Sequence, residues 1–155
     1  KALAPPPLAE RIRLSRALAR DPRIVVTDAE AEIGTRFTVD SIRILQRLRP
    51  GVRFVYVMGA DSFAGLERWR DWRGIMARVP VAVVDRPGAT LAAVRSVAGR
   101  TFAAARVDAA SAARLPFMTP PAWTMLYGRR SPLSSTGLRQ AREMRGLHQI
   151  DMKSA

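Results

Sequence analysis

The stretch Phe54-Val55-Tyr56-Val57-Met58, followed by Gly59, is an uninterrupted apolar run that stops at a glycine. A run of this length and composition predicts a strand buried on both faces of a parallel sheet. Two similar runs follow it, at positions 81–84 and 123–126, and a shorter one, Ile24-Val25-Val26, precedes it. The sequence therefore predicts several short buried strands.

Helical periodicity separates these runs. Apolar residues recur at helical spacing from Pro7 to Arg20, where Asp21-Pro22 stops the pattern, and again behind Thr35-Arg36-Phe37-Thr38 as far as Pro50-Gly51. We expect Thr35 to Thr38 to cap this second helix, with the apolar residues inward: Val39, Ile42, Ile44, Leu45 and Leu48. A short helix carries Phe63 and Leu66, residues 91–98 read as another, and the Ala-rich stretch to Leu115 is poorly determined.

Alternating helices and buried strands predict an α/β, Rossmann-like, doubly wound fold with a mainly parallel sheet. In such sheets, ligands bind beyond the carboxyl ends of the strands. Polar segments follow three of the strands, at 59–61, 85–86 and 129–139, so we expect them to share one rim.

The last of these segments contains three consecutive hydroxyl side chains that suit a helix start: Ser134, Ser135 and Thr136. No acid lies between Asp108 and Glu143, although a helix start favours negative charge, and arginines flank the hydroxyls instead. Gly137 leaves room for a ligand, and Arg139 lies on the same face as Thr136. The stretch fits a phosphate site and an ordinary Ser-capped helix equally well.

Three further residues, Asp61, Trp69 and Arg86, have two interpretations each. Asp61 suits a cap of the following helix or a hydrogen bond to a ribose hydroxyl. Trp69 and Trp72, three residues apart, suit the core, but Trp69 is flanked by arginines and could stack on a flat ring. Arg86 is either a solvated loop charge or a phosphate contact. His148 is the only histidine, so a histidine metal site or triad is disfavoured.

Length and composition limit the function classes. The 155 residues, 48% of them hydrophobic, suit one domain spanning 1–155, and the net charge of +13 favours phosphate-bearing partners. The absence of cysteine excludes disulfides and thiolate chemistry.

No apolar run is long enough to cross a membrane and the N-terminus is unlike a signal peptide, so we expect a soluble, cytoplasmic protein. Neither a P-loop nor a GxGxxG motif is present.

Four ordered motifs resemble the bacterial nicotinate-nucleotide adenylyltransferases: Phe37-Thr38-Val39-Asp40-Ser41, Gly59 to Leu66 with Trp69 and Trp72, Val84 to Gly88, and Leu133 to Arg139. The resemblance covers essentially the whole chain. It implies the nucleotidylyltransferase fold and transfer of adenylate from ATP, with Mg²⁺ carried by ATP, to nicotinate mononucleotide.

The resemblance also implies residue roles. ATP would be bound by Ser134, Ser135, Thr136, Arg139, Gly59 and Asp61. The pyridine nucleotide would be bound by Thr38, Trp69, Arg70 and Arg86. No resident metal is implied, and no residue is assigned a catalytic role.

The sequence departs from the family in one respect, because the family's HxGH motif, whose histidines contact the phosphates, does not occur here. The sequence resembles a family member that begins after about its first two strands. Two alternatives therefore stay open at this point: an inactive fragment of the enzyme, and a basic RNA-binding α/β domain, which is disfavoured because the arginines are dispersed.

Overall fold

The structure is a computed structural model that describes residues 6–128. The chain divides into two compact units, residues 1–52 and 53–155, and each is described by itself. The anion segment predicted at 129–139 lies outside the described residues.

The described part of the first unit, residues 6–52, contains three helices: α1, Leu8–Leu18; α2, Ala29–Glu32; and α3, Thr38–Leu48. Helix α1 follows Pro7, as predicted, because the fixed φ of proline suits a helix entry. The turn after it is held by Asp21, whose carboxylate accepts hydrogen bonds from the guanidinium and the amide of Arg23. These hydrogen bonds, above all those from the guanidinium, lower the pKa of Asp21.

Two predictions for the first unit are wrong. Residues 24–26 form no strand, and Ile24 and Val25 are 57% and 79% exposed. A short apolar run becomes a strand only when a neighbouring strand takes up its backbone hydrogen bonds, and within residues 6–52 no strand is available. In addition, no residue of α1 is buried despite its apolar stripe.

The second predicted helix is confirmed as α3, but the prediction that Thr35 to Thr38 cap it is wrong. Phe37 is the N-cap residue and makes no side-chain capping bond, so Thr35 and Thr38 do not cap the helix through their hydroxyls. The hydroxyl of Thr35 instead forms a hydrogen bond with the hydroxyl of Ser41. Val39 and Ile42 are buried as predicted, whereas Leu48, in the last turn, is 59% exposed.

In the second unit, residues 53–128 contain three strands: β1, Tyr56–Gly59; β2, Val81–Val84; and β3, Trp123–Leu126. They form a parallel sheet in the order β1-β2-β3. In this register Gly59 lies beside Val84, and Val84 beside Leu126, so the carboxyl ends of all three strands meet at one edge. The predicted α/β, Rossmann-like class is confirmed, while the assignment of 1–155 to a single domain stays a prediction.

The core of the second unit lies on both faces of β2. Phe63 stacks on Trp123 with ring centroids 4.7 Å apart, and both side chains are fully buried. Ala82, Leu115 and Ala122 form a separate buried cluster. Strand β1 departs from the prediction of burial on both faces, because Val57 is 60% exposed. It is one of the two edge strands of the described sheet, the other being β3.

Helical segments connect the strands. Between β1 and β2 lie α4, Ala60–Ala64; a 3₁₀ turn, Leu66–Arg68; and α5, Trp72–Arg78. Between β2 and β3 lie α6, Thr90–Arg95; α7, Val97–Thr101; and two 3₁₀ segments, Ala103–Ala105 and Ala109–Phe117.

The helix predicted over 91–98 is two helices. Ser96 has an extended backbone, with ψ of 167°, and its hydroxyl accepts a hydrogen bond from the amide of Gly99 as the cap of α7. Serine ends one helix and begins the next because its hydroxyl takes up a backbone group that a helix end leaves unpaired. Within residues 6–128, no helix is long and apolar enough to cross a membrane.

Candidate functional site

The carboxyl ends of β1 and β2 bring Asp61 and Arg86 together. Asp61 lies in the first turn of α4, directly after β1, and Arg86 is two residues beyond β2. Arg86 Nε lies 3.2 Å from Asp61 Oδ1, and the two side chains are 41% and 57% exposed. Two of the three rim segments predicted from the sequence are therefore in contact. The side chains of Asp61 and Arg86 are both accessible to a ligand.

The capping alternative for Asp61 does not hold. The N-cap residue of α4 is Gly59, and no side chain makes a capping bond there. The Asp61 carboxylate is in the first turn, where the helix dipole favours a negative charge, and it pairs with Arg86.

Gly59 provides the space for this ion pair. A Cβ atom at position 59 would lie 2.6 Å from Arg86 Nε and would also overlap the Asp61 carboxylate. Because real Cβ contacts are never so short, any other residue at this position would push the two side chains away from their present position. The glycine therefore allows the charged groups to lie directly over the end of β1.

The loop that carries Arg86 is held at both ends. The Asp85 amide donates to the carbonyl of Leu126 over 2.9 Å, and the Thr90 hydroxyl donates to the Asp85 carboxylate. Gly88, at φ 77°, makes the turn between them. Sequence reasoning placed Asp85 on the rim but missed its hydrogen bond to Thr90; the signal was an acid at a strand end followed by a hydroxyl residue that begins the next helix.

Trp69 and Trp72 lie in different environments and not on one side of a single helix. Trp72 begins α5, is 8% exposed and meets Phe102 edge-on, with ring centroids 5.8 Å apart. Trp69 ends the preceding 3₁₀ turn in an extended conformation and is only partly buried. Between them Asp71 has a φ of 47° and accepts a hydrogen bond from the amide of Gly74, which turns the chain.

The indole available for stacking is therefore Trp69, while Trp72 belongs to the core. Arg70, next to Trp69, is exposed. The side chain of Arg73 covers the ring of Trp72, with its guanidinium carbon 4.3 Å from the ring centroid.

Thr38 lies in the first unit, where it is the first residue of α3. The first amides of a helix have no partner within the helix, so the start of α3 has donors for an acceptor group. Ser41 and its partners Glu30 and Thr35 were missed by sequence reasoning. The signal for them was a polar residue at position 41, on the same helix face as Ile44 and Leu45.

The remaining predicted residues, Ser134, Ser135, Thr136 and Arg139, lie outside the described residues. Within residues 6–128, no three or more histidine, cysteine, aspartate or glutamate side chains are grouped so as to hold a metal ion. The carboxylate at the rim, Asp61, is paired with an arginine.

Comparison with known proteins identifies the family. Residues 3–141 match the model of the cytidylyltransferase-like family. Proteins named probable nicotinate-nucleotide adenylyltransferase are also similar to this chain. The protein from Rhizobium meliloti is 49% identical over 88% of this chain and 72% of its own length, and the one from Methylorubrum extorquens is 51% identical over 86% and 72%. The one from Cereibacter sphaeroides is 50% identical over 92% and 75%.

The chain therefore belongs to the cytidylyltransferase-like family and, within it, to the nicotinate-nucleotide adenylyltransferases. The resemblance carried by the four sequence motifs is confirmed. The roles of the individual site residues stay predictions.

Proposed function

We propose that this protein transfers adenylate from ATP to nicotinate mononucleotide, giving deamido-NAD and pyrophosphate. The observation that carries the proposal is the contact between Asp61 and Arg86 at the carboxyl edge of a parallel sheet, where α/β proteins bind nucleotides. The names of the similar proteins supply the identity of the two substrates.

The reaction needs no covalent enzyme intermediate. A phosphate oxygen of nicotinate mononucleotide attacks the α-phosphorus of ATP, and the bond from that phosphorus to the bridging oxygen breaks. The bonding electrons leave with pyrophosphate. The protein's contribution is to align two polyanions and to stabilise the charge that develops during the transfer.

We assign the mononucleotide to the four residues that the family resemblance implies, which are Arg86, Trp69, Arg70 and Thr38. Arg86 offers a guanidinium that is 41% exposed, which suits a phosphate group. Trp69 offers a partly accessible indole for stacking on the pyridine ring. The amides at the start of α3 suit a carboxylate, because both of its oxygens accept hydrogen bonds from N–H groups.

We assign ATP to Gly59, Asp61 and the segment with Ser134, Ser135, Thr136 and Arg139. Asp61 accepts hydrogen bonds and so suits a ribose hydroxyl, whereas the hydroxyls and the arginine suit phosphates. Mg²⁺ would enter as part of the ATP substrate, since the carboxylates of Asp61 and Asp85, which follow β1 and β2, are bonded to Arg86 and Thr90, and the described residues group no metal-binding cluster. A reaction that consumes ATP suits the cytoplasm, and we propose that compartment.

The test is an assay of purified protein with MgATP and nicotinate mononucleotide. The expected products are deamido-NAD and pyrophosphate in equal amounts, identified by chromatography and by a coupled pyrophosphate assay. Arg86→Gln protein in the same assay is the control for a contaminating activity, because a contaminant would be indifferent to the substitution. Absence of the dinucleotide under conditions where ATP binds would overturn the proposal.

A further inference from the structure

The hydroxyl of Ser41 is buried in the first unit and bonded to two other side chains. Ser41 is 4% exposed. Its Oγ lies 2.7 Å from Thr35 Oγ1 and 3.2 Å from Glu30 Oε1. Thr35 lies just before α3, Ser41 lies within α3, and Glu30 lies in α2.

Only one arrangement of protons satisfies these contacts when Glu30 is ionised. A carboxylate accepts and does not donate, so the single hydroxyl proton of Ser41 goes to Glu30, with the Phe37 carbonyl, 3.5 Å from Ser41 Oγ, as a more distant second acceptor. The Thr35 hydroxyl must then donate to Ser41 Oγ, because Ser41 has no second proton. The result is a directed relay from Thr35 through Ser41 to Glu30.

The relay fixes the chain on both sides of Thr38. Thr35 lies three residues before Thr38 and Ser41 three residues after it, so their hydrogen bond spans the start of α3. Backbone bonds strengthen the same turn, because the Thr35 amide donates to the Glu30 carbonyl and the Ser41 amide to the Phe37 carbonyl, over 3.2 and 3.1 Å. The direction of the first amides of α3 thus depends on two partly buried side-chain hydrogen bonds.

We propose that Thr35 and Ser41 are positioning residues for the pyridine nucleotide and touch no substrate themselves. The inference rests on the proposed function, in which the amides at Thr38 hold a group of nicotinate mononucleotide. A fixed direction of these amides lowers the cost of ordering them when the substrate binds. Loosening the relay should therefore weaken the binding of this substrate and leave ATP binding unchanged.

The test compares two substitutions of Thr35. Thr35→Val keeps the shape of the side chain and removes the hydroxyl, whereas Thr35→Ser keeps the hydroxyl. Thr124→Val is the matched control, since Thr124 is also buried and its hydroxyl donates a 2.9 Å hydrogen bond to the carbonyl of Val107 in the second unit.

We expect Thr35→Val to raise the KM for nicotinate mononucleotide about threefold to tenfold, which is the effect of one neutral hydrogen bond, with the KM for ATP unchanged. Thr35→Ser should restore the KM, and Thr124→Val should lower the melting temperature without changing either KM. Equal KM increases for both substrates, or no difference between Thr35→Val and Thr124→Val, would overturn the inference.

Hydrogen exchange separates this inference from the proposed function. In the free protein, the amides of residues 38–42 should exchange faster in Thr35→Val than in Thr35→Ser. If they do and the wild-type protein transfers no adenylate, the proposed function fails while the relay stands. If exchange is the same in both variants, the relay does not fix the start of α3 and the positioning role is wrong.

Discussion

Arg86 Nε and Asp61 Oδ1 lie 3.2 Å apart, although the two residues follow different strands and are 25 positions apart in the chain. The pair forms because parallel strands in register end at the same edge, and because Gly59 leaves the space above that edge open. A partly exposed ion pair contributes at most about 1 kcal/mol to stability. Its importance therefore lies in the two charged groups that it presents to ligands.

The first prediction separates the role of Arg86 in binding from its role in stability. Arg86→Gln should raise the KM for nicotinate mononucleotide at least about tenfold, because a charge-assisted hydrogen bond to phosphate is lost. The free energy of unfolding should change by less than about 1 kcal/mol. Steady-state kinetics and urea unfolding provide the two numbers. Arg95→Gln, at an exposed arginine that ends α6, is the control, and equal kinetic effects of the two substitutions would contradict the assignment.

The second prediction concerns the packing of α7. A Cβ atom at Gly99 would lie 2.5 Å from the carbonyl oxygens of Ala93 and Val94, which are backbone atoms that cannot rotate away. Gly99→Ala should therefore destabilise the protein by about 1 to 3 kcal/mol, as measured by urea unfolding. Gly51→Ala is the control, since nothing lies within 4 Å of its Cβ position, and it should change stability by less than about 0.5 kcal/mol. Equal stability of the two variants would show that α6 and α7 are not packed this closely.

The third prediction tests the phosphate segment inferred from the sequence. Arg139→Ala should lower kcat by a factor that corresponds to about 3 kcal/mol, because a contact that strengthens in the transition state is lost. Without ligand, the melting temperature should rise slightly, since the sequence predicts a helix start here and an unfavourable charge would be removed from it. Arg145→Ala serves as the control for a change in net charge alone. Near-wild-type turnover of the Arg139 variant would show that ATP phosphates bind elsewhere.

The fourth prediction assigns the stacking residue. Trp69→Ala should weaken the use of nicotinate mononucleotide, whereas Trp69→Phe should retain most of it, because a phenyl ring still stacks on a pyridine. Trp69 is partly buried, so circular dichroism and thermal unfolding should accompany the kinetics. If both variants had wild-type kcat/KM, the ring would have to bind away from Trp69.

Several parts of the fold could be predicted from the sequence because their cause is local. The runs at 81–84 and 123–126 are strands as predicted, since continuous apolar residues suit a sheet covered on both faces. The meeting of Asp61 and Arg86 followed from one topological rule, that strand ends in a parallel sheet share an edge.

Other features depend on partners that no local pattern reveals. Residues 24–26 have the composition of a strand, but a strand also needs a neighbour for its backbone groups. The separation of Trp69 from Trp72 depends on the positive φ of Asp71, which spacing alone does not predict. The relay through Ser41 joins residues 6 and 11 positions away, and side-chain hydrogen bonds at such distances have no sequence periodicity.

The choice between two mononucleotides tests the proposed function most directly. Nicotinate mononucleotide carries a carboxylate, which accepts every donor at the start of α3, whereas the amide of nicotinamide mononucleotide would leave one donor unpaired at a cost of about 1 to 3 kcal/mol. The measurement is kcat/KM for each mononucleotide with saturating MgATP. We expect a preference for the nicotinate form of at least about tenfold, reduced by Trp69→Ala. Equal use of the two mononucleotides, or transfer to neither, would contradict the account.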